Sequence, residues 1–350
     1  MIIGWNIGVL CETLAYGTAI LISLITHWND DAKKPHRINE MLYVIFFYTF
    51  GISSLFLFEA DNLSFTMENR YYMILFLSFL AMDLFWWLFN LGPNVIKCKR
   101  NPELYDDRRY EEFVKYIKKH QAGSNIKGDL TRKGLHVLMF SIVVGFFVYA
   151  RADATAIEEN WGDYWAFCKF MYTLIAYGFV FMFSLADLMR HNMYYALPNW
   201  ARKWFKTSIA PREAYTFISS IPYVLALSLF MFTPHQVLFV ATAVSTFADA
   251  GASVVGKLTG KHKFPEHLDC KKCYEGLFAG SMMAFLSSTM VLILFPFPGQ
   301  NELFVLAVGS ISTVIFALTD LYVRKIADNI TNVILPGIAT LILAFAFGLI

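Results

Sequence analysis

Charge is scarce in this 350-residue chain. Asp, Glu, Lys and Arg make up 16% of it, where a soluble domain carries about 25%. Hydrophobic residues reach 57%, and mean hydropathy is +0.48. That balance excludes an ordinary soluble enzyme, and no nucleic-acid partner is expected. Cysteine is scarcer still. Cys11, Cys98, Cys168, Cys270 and Cys273 form no disulfide framework, and the one close pair falls in a predicted cytoplasmic loop, where thiols stay reduced. Internal repeats and low-complexity segments are absent, which counts against a transporter assembled from repeated halves. The first apolar segment has neither a basic flank nor a small-residue cleavage site, so no cleavable signal peptide is expected.

What the chain does have is apolar runs of about 20 residues, recurring from end to end. Ten are placed, at 7–27, 40–58, 71–91, 134–150, 164–186, 214–232, 235–256, 274–296, 302–321 and 330–350. The expected fold class is therefore all-α, a polytopic bundle of about ten transmembrane helices. Basic residues occupy alternate connections: Lys33 to Arg37, Lys97 to Lys133, Arg190 to Arg212, Lys257 to Lys272, and Arg324 with Lys325. The intervening connections hold only Arg70 and Arg151 among several acids. By the positive-inside rule the odd-numbered connections are cytoplasmic and both termini lie on the opposite side. The charge pattern suits the endoplasmic reticulum and the plasma membrane equally. Aromatic residues are abundant, as expected of lipid-facing surface and interfacial belts.

Three segments are expected: a three-helix extension over 1–92, a cytoplasmic linker over 93–130, and a seven-helix core over 131–350. Within the linker, 106–121 reads as an amphipathic helix, with Tyr110, Phe113, Val114 and Ile117 at helical spacing, lying on the anionic inner leaflet.

Polar residues concentrate in the core. Asp249 sits about two turns before the cytoplasmic end of its span, and an intramembrane carboxylate is a functional candidate by default. Asp249, Ser253 and Lys257, spaced i, i+4, i+8, line one helix face. Gly251, Gly256 and Gly260 remove bulk beside it. The alternative is a helix-packing motif with a buried Asp–Lys pair. The following loop supplies Lys257, Lys261, Lys263, Lys271 and Lys272, then Glu275 and Gly276 begin the next span. Lysines and helix N-termini both suit phosphates. Glu275 is read either as a dipole-favouring residue or as a magnesium ligand. Asp328 and Asn329 form an acid–amide pair before the last span, where Asp328 also reads as an ordinary cap. Arg132, Lys133 and His136, the Asp187–Arg190 pair and the Arg212–Glu213 pair face the same side; singly, each reads as a snorkelling anchor or local ion pair. His262, His267, Cys270 and Cys273 have zinc-like spacing, but a single loop rarely supplies all four ligands.

Taken in order, these motifs resemble the CTP-dependent lipid kinases, the group of dolichol kinase, phytol kinase and the CTP-dependent diacylglycerol kinase. Arg132-Lys133-Gly134-Leu135-His136 is similar to the family's Arg-Lys-x-x-His. Asp187 with Arg190, and Arg212 with Glu213, fit its acid–Arg and basic–acidic pairs. Asp249, Ala252, Ser253, Gly256 and Lys257 match Gly-Asp-x-x-Ala-Ser-x-x-Gly-(basic). Lys271 to Gly276 resembles Lys-Lys-Thr-x-Glu-Gly, whose Glu-Gly leans toward dolichol kinase. Asp328-Asn329 with Pro336 resembles Asp-Asn-x-x-x-Pro. The resemblance covers roughly the last 220 residues. Ala248, Ala250 and Cys273 depart from Gly, Thr and Thr/Ser, which removes two hydroxyls and one close-approach position.

The resemblance implies transfer of the γ-phosphate of CTP, with Mg²⁺, to the hydroxyl of a long isoprenoid alcohol entering from the membrane lipid. It implies Lys257, Lys261, Lys263 and Lys272 around the triphosphate, with Ser253, Gly256, Gly276 and Asn329 nearby. Asp249 and Glu275 would hold the metal and Asp328 would complete the site. Asp249, Asp187 and His136 are candidate bases. Two alternatives remain open. One is CTP:phosphatidate cytidylyltransferase, whose longer Lys-Asp and His-Gly-Gly signature is missing here. The other is a transporter or scaffold.

Overall fold

The computed structural model describes residues 4–59, 63–106, 108–120, 126–209, 211–218, 220–265, 272–323 and 326–350. Most of these residues are helical, in the order α1 (Trp5–Thr26), α2 (Arg37–Ser53), α3 (Phe65–Phe85), α4 (Gly92–Arg100), α5 (Pro102–Asp106), α6 (Tyr110–His120), α7 (Ile126–Ala152) and α8 (Ala154–Trp161). There follow α9 (Tyr164–Asn192), α10 (Asn199–Ser208), α11 (Ser220–Ser228), α12 (His235–Thr259), α13 (Tyr274–Leu294), α14 (Glu302–Tyr322) and α15 (Asp328–Ala346). Among the described residues nine helical spans are long and apolar enough to cross a membrane, the architecture of a multi-pass membrane protein.

The tenth expected span, 214–232, is shorter than the sequence indicated. Its apolar helix covers only Ser220–Phe232, the last part as a 3₁₀ turn over Leu229–Phe232. At 1.5 Å per residue these thirteen residues reach about 20 Å, short of a hydrocarbon core of about 30 Å. Pro222 sets the start, because its ring would clash with the carbonyl of residue 218 if the helix ran further back. The third span runs the other way, continuing through Phe65–Arg100. Pro93, read as the opening of a linker, sits instead in the first turn of α4 behind a π-helical turn at Trp86–Leu91. The π turn shifts the ladder so that Gly92 N donates to the Trp87 carbonyl, ahead of the proline that has no N–H to give. Gly92 is needed there, since a Cβ would lie 2.8 Å from the Trp87 carbonyl oxygen.

Packing divides the chain into two compact units, Met1–Gly128 with Phe146–Leu225, and Asp129–Gly145 with Ala226–Ile350. These do not coincide with the sequence blocks, because α9 packs on α1 and α3. The first unit buries many of its aromatics. Phe50 stacks on Tyr177 with centroids 3.6 Å apart, and Tyr16 on Phe181 at 4.6 Å. Stacked pairs of this kind contribute about 0.5–1.5 kcal/mol beyond burial. The amphipathic helix also differs from expectation. In α6 the apolar side chains of Phe113 and Ile117 are buried in protein, with the Phe113 ring 4.9 Å from that of Tyr194. The helix therefore caps the first unit, and its apolar face is not offered to lipid.

In the second unit α12 packs on α13 and α15, and α14 closes the ring between them. The α12 stretch from Gln236 to Thr246 is buried throughout, which makes it the central helix. The first half of α7 lies antiparallel to it, with Thr246 Oγ1 donating to the His136 carbonyl at 3.2 Å and the Phe140 and Phe247 rings 5.0 Å apart.

Candidate functional site

The candidate residues of the second unit lie mainly along the second half of α12, on the described flanks of the loop that follows it (260–265 and 272–273), and in the first turn of α13. Asp249 lies inside this region as an ion pair. Its partner is Lys133 of α7, 116 residues away, and both side chains are largely buried. The Asp–Lys pair weighed from sequence thus exists with a different lysine. Lys257, on the same α12 face as Asp249, is exposed, as are Lys261 and Lys263, whereas Ser253 is half-buried.

The loop closes as a two-stranded hook. Phe264 N donates to the Lys272 carbonyl at 3.1 Å, and Tyr274 N to the His262 carbonyl at 3.0 Å. Glu275, in the first turn of α13, grips the other side. Its Oε1 accepts from Lys261 N and His262 N, both at 3.1 Å, and lies 2.7 Å from His262 Nδ1. A carboxylate taking main-chain donors at a helix N-terminus is well placed electrostatically. Lys272 Nζ donates to both the carbonyl and Oδ1 of Asp320 in the last turn of α14, at 2.6 and 2.7 Å. Asp320 escaped the sequence reading, although an acid near the end of an apolar span is the same signal that singled out Asp249.

Glycine here does packing work. A Cβ on Gly276 would come within 2.8 Å of the Ala252 carbonyl oxygen and 3.2 Å of Gly256 Cα. On Gly256 it would press on Cys273 Sγ at 3.2 Å, and on Gly260 it would overlap the Gly256 carbonyl. Small residues let α12 and α13 approach closely, the usual device of membrane helix pairs. The buried Cys273 thiol donates to the Gly256 carbonyl at 3.6 Å, across the same seam. Gly276→Ala therefore lowers the thermal unfolding midpoint in detergent, with an overpacking cost of about 1–3 kcal/mol. Gly145→Ala, which meets nothing within 4 Å, leaves the midpoint unchanged. Equal midpoints for the two variants would refute the packing role.

Beside this seam runs a groove of about 850 Å³. Phe247 and Val254 of α12 face Phe278, Met282 and Met283 of α13 across it, and Glu275 and His262 mark its loop end.

At the start of α15, the Asp328 carboxylate accepts from Asn329 N at 3.0 Å, and Asn332, one turn on, accepts from Thr319 Oγ1 at 2.9 Å. Both Asp328 and Asn329 are half-buried. Asp187, Arg190 and Glu213 belong to the first unit and form a separate, closed cluster. Arg190 Nε donates to Asp187 Oδ1 at 2.8 Å, Nη1 to the carbonyls of Glu213 and Ala214, and Nη2 to that of Thr216, with His191 Nε2 also 3.1 Å from Nη2. All five guanidinium donors are thereby engaged, and Asp187 Oδ2 accepts from Ile218 N at 2.6 Å. The pair stitches the segment before α11 onto the end of α9. At its margin, burial raises the Tyr110 phenol above its ordinary value and lowers the Lys33 ammonium.

The side chains of Arg132 and Arg212, and residues Lys271, His267 and Cys270, lie outside the described residues. Of the zinc-like set, His262 is held by Glu275, and Cys273 faces Gly256. Among the described residues no three of His, Cys, Asp and Glu cluster as a metal cage. Asp249 and Glu275, expected to share a magnesium ion, have separate partners in Lys133 and the loop amides. A nucleotide's magnesium needs only one or two carboxylates beside the phosphates, so either acid alone has the right donor chemistry. Compared with protein-family models, curated proteins and solved structures, the chain matches none of them.

Proposed function

We propose that this chain is an integral-membrane lipid kinase that transfers the γ-phosphate of CTP to the hydroxyl of a long-chain isoprenoid alcohol. One observation carries the reading. The Lys133–Asp249 ion pair joins two motifs, Arg-Lys-x-x-His and the Asp-to-Lys core, that lie 116 residues apart in sequence. A buried lysine and carboxylate at the end of membrane helices, beside a loop of exposed lysines, supply what phosphoryl transfer requires: neutralised charge and a fixed geometry. Lys257, Lys261 and Lys263 draw the triphosphate to the loop, which the alternating charge pattern assigns to the cytoplasm. That assignment needs the short helix at Ser220–Phe232 to cross the bilayer. Bound with the nucleotide, magnesium would supply charge neutralisation at the phosphates. Asp249, once the nucleotide competes for Lys133, is the carboxylate nearest in type to its ligand. Asp328 and Asn329, at the start of α15, complete the polar rim.

A second reading has its own observation. Gly256, Gly260 and Gly276 serve helix packing, and Asp249 has a lysine partner, so a non-enzymatic scaffold accounts for the same contacts. The deciding experiment incubates purified protein with γ-labelled CTP, Mg²⁺ and, separately, a long polyprenol, phytol and diacylglycerol. Label on the polyprenol with release of CDP is the expected result. Label on phytol or diacylglycerol would relocate the substrate within the same group. Pyrophosphate release would identify a cytidylyltransferase, and no turnover with any acceptor would favour the scaffold.

A further inference from the structure

We infer that the groove between α12 and α13 seats the hydrocarbon chain of the acceptor, a neutral lipid alcohol, with its hydroxyl held at the Glu275–His262 end. The inference rests on the kinase reading and adds to it a place and an orientation for the substrate.

The groove has the volume of a small-molecule site, and its walls are almost wholly apolar. Ala250, Gly251 and Ala279 line it with little side-chain bulk, while Met282 and Met283 supply flexible side chains that adapt to an irregular chain. Polarity is confined to one end, where Glu275 and His262 sit against the lysine loop. The sign of that end selects the occupant. Among the described residues the lining holds one carboxylate and no Lys or Arg, so a phosphate seated in the groove itself would meet like charge at Glu275. A neutral hydroxyl can donate to Glu275: among the described residues Oε1 has three partners, whereas Oε2 accepts from His262 N at 3.4 Å. The donor arrives from the opposite direction, since Lys261, whose main chain Glu275 holds, and Lys263 are exposed on the loop.

At this junction the alcohol oxygen attacks the γ-phosphorus of the nucleoside triphosphate. The bond from that phosphorus to the β,γ-bridging oxygen breaks, CDP leaves with the electron pair, and the hydroxyl proton passes to an oxygen of the transferred phosphoryl group. Glu275 acts on the substrate directly by accepting the hydroxyl's hydrogen bond, and His262 is the positioning residue that orients it.

The test uses the full chain in nanodiscs without nucleotide, irradiated with a long-chain alcohol bearing a mid-chain diazirine and mapped by mass spectrometry. Label is expected on the peptides carrying Val254, Phe278 and Met282, competed by unlabelled polyprenol and not by excess phosphatidylcholine. Ala250→Phe, which fills the groove, should cut labelling at least tenfold. Val148→Phe, on the exposed face of α7, should leave it unchanged. Label elsewhere on the chain, or competition by phosphatidylcholine, overturns the assignment. Groove labelling in a protein that transfers no phosphate would uphold the alcohol site while removing the kinase reading.

Discussion

Arg190→Met lowers the unfolding midpoint in detergent by roughly 10 °C. The substitution leaves Asp187, which is 0% exposed, as a buried charge without its cation, and such losses cost about 3–5 kcal/mol. A change of 1 kcal/mol corresponds to roughly 2–4 °C in a domain of 150–250 residues. The carbonyls of Glu213, Ala214 and Thr216 lose their donor as well. Arg190→Lys restores charge but cannot fork to five acceptors, so it recovers only part of the stability. The double change to Arg190→Met with Asp187→Leu removes the charge penalty and leaves those carbonyls and the Ile218 amide unmet. It should fall between wild type and the single variant. A midpoint for Arg190→Met within 2 °C of wild type would show that the cluster contributes no net stability.

The second large effect concerns Asp249 and Lys133. Asp249→Asn keeps shape and removes charge, and phosphate transfer to polyprenol should fall on the order of 10²–10³-fold, the usual cost of losing one preorganised electrostatic group. Exchange of the pair, Lys133→Asp with Asp249→Lys, separates chemistry from packing. It preserves an ion pair between α7 and α12, so the midpoint should recover relative to either single change. Activity should not recover, because a lysine then stands where the nucleotide and its magnesium need a carboxylate. If the exchanged protein phosphorylates polyprenol at the wild-type rate, the pair is structural and the site lies elsewhere.

Nine of the expected spans match helices within a few residues at most of their ends, because lipid leaves the backbone little alternative to a helix and hydropathy reports the lipid directly. The misfit at 214–232 arose from treating an apolar run as continuous, when Pro222 divides it. The burial of Phe113 and Ile117 was out of reach for a different reason. An amphipathic pattern states that one face is covered and says nothing about whether protein or lipid covers it. The site was half legible. The type and helix face of Asp249 followed from its spacing to Ser253 and Lys257, but the choice of Lys133 over Lys257 is tertiary. Small residues near lysines carry the same sequence signature for phosphate binding and for helix approach, and only the distances across the α12–α13 seam show the packing at Gly256 and Gly276. Asp320 was legible in principle and passed over, since no motif surrounds it.

The grip of Glu275 on the loop has an evolutionary consequence. What it holds at 261 and 262 is main chain, supplemented by one imidazole. Every residue but proline carries that amide, so the main-chain part of the hook survives a change of side chain at 261. Position 275 has no such latitude: a shorter acid loses reach, and an amide loses charge. A lineage adapting this protein to a new donor can therefore rewrite the loop's lysines while the carboxylate that anchors the loop and the histidine that orients it stay fixed.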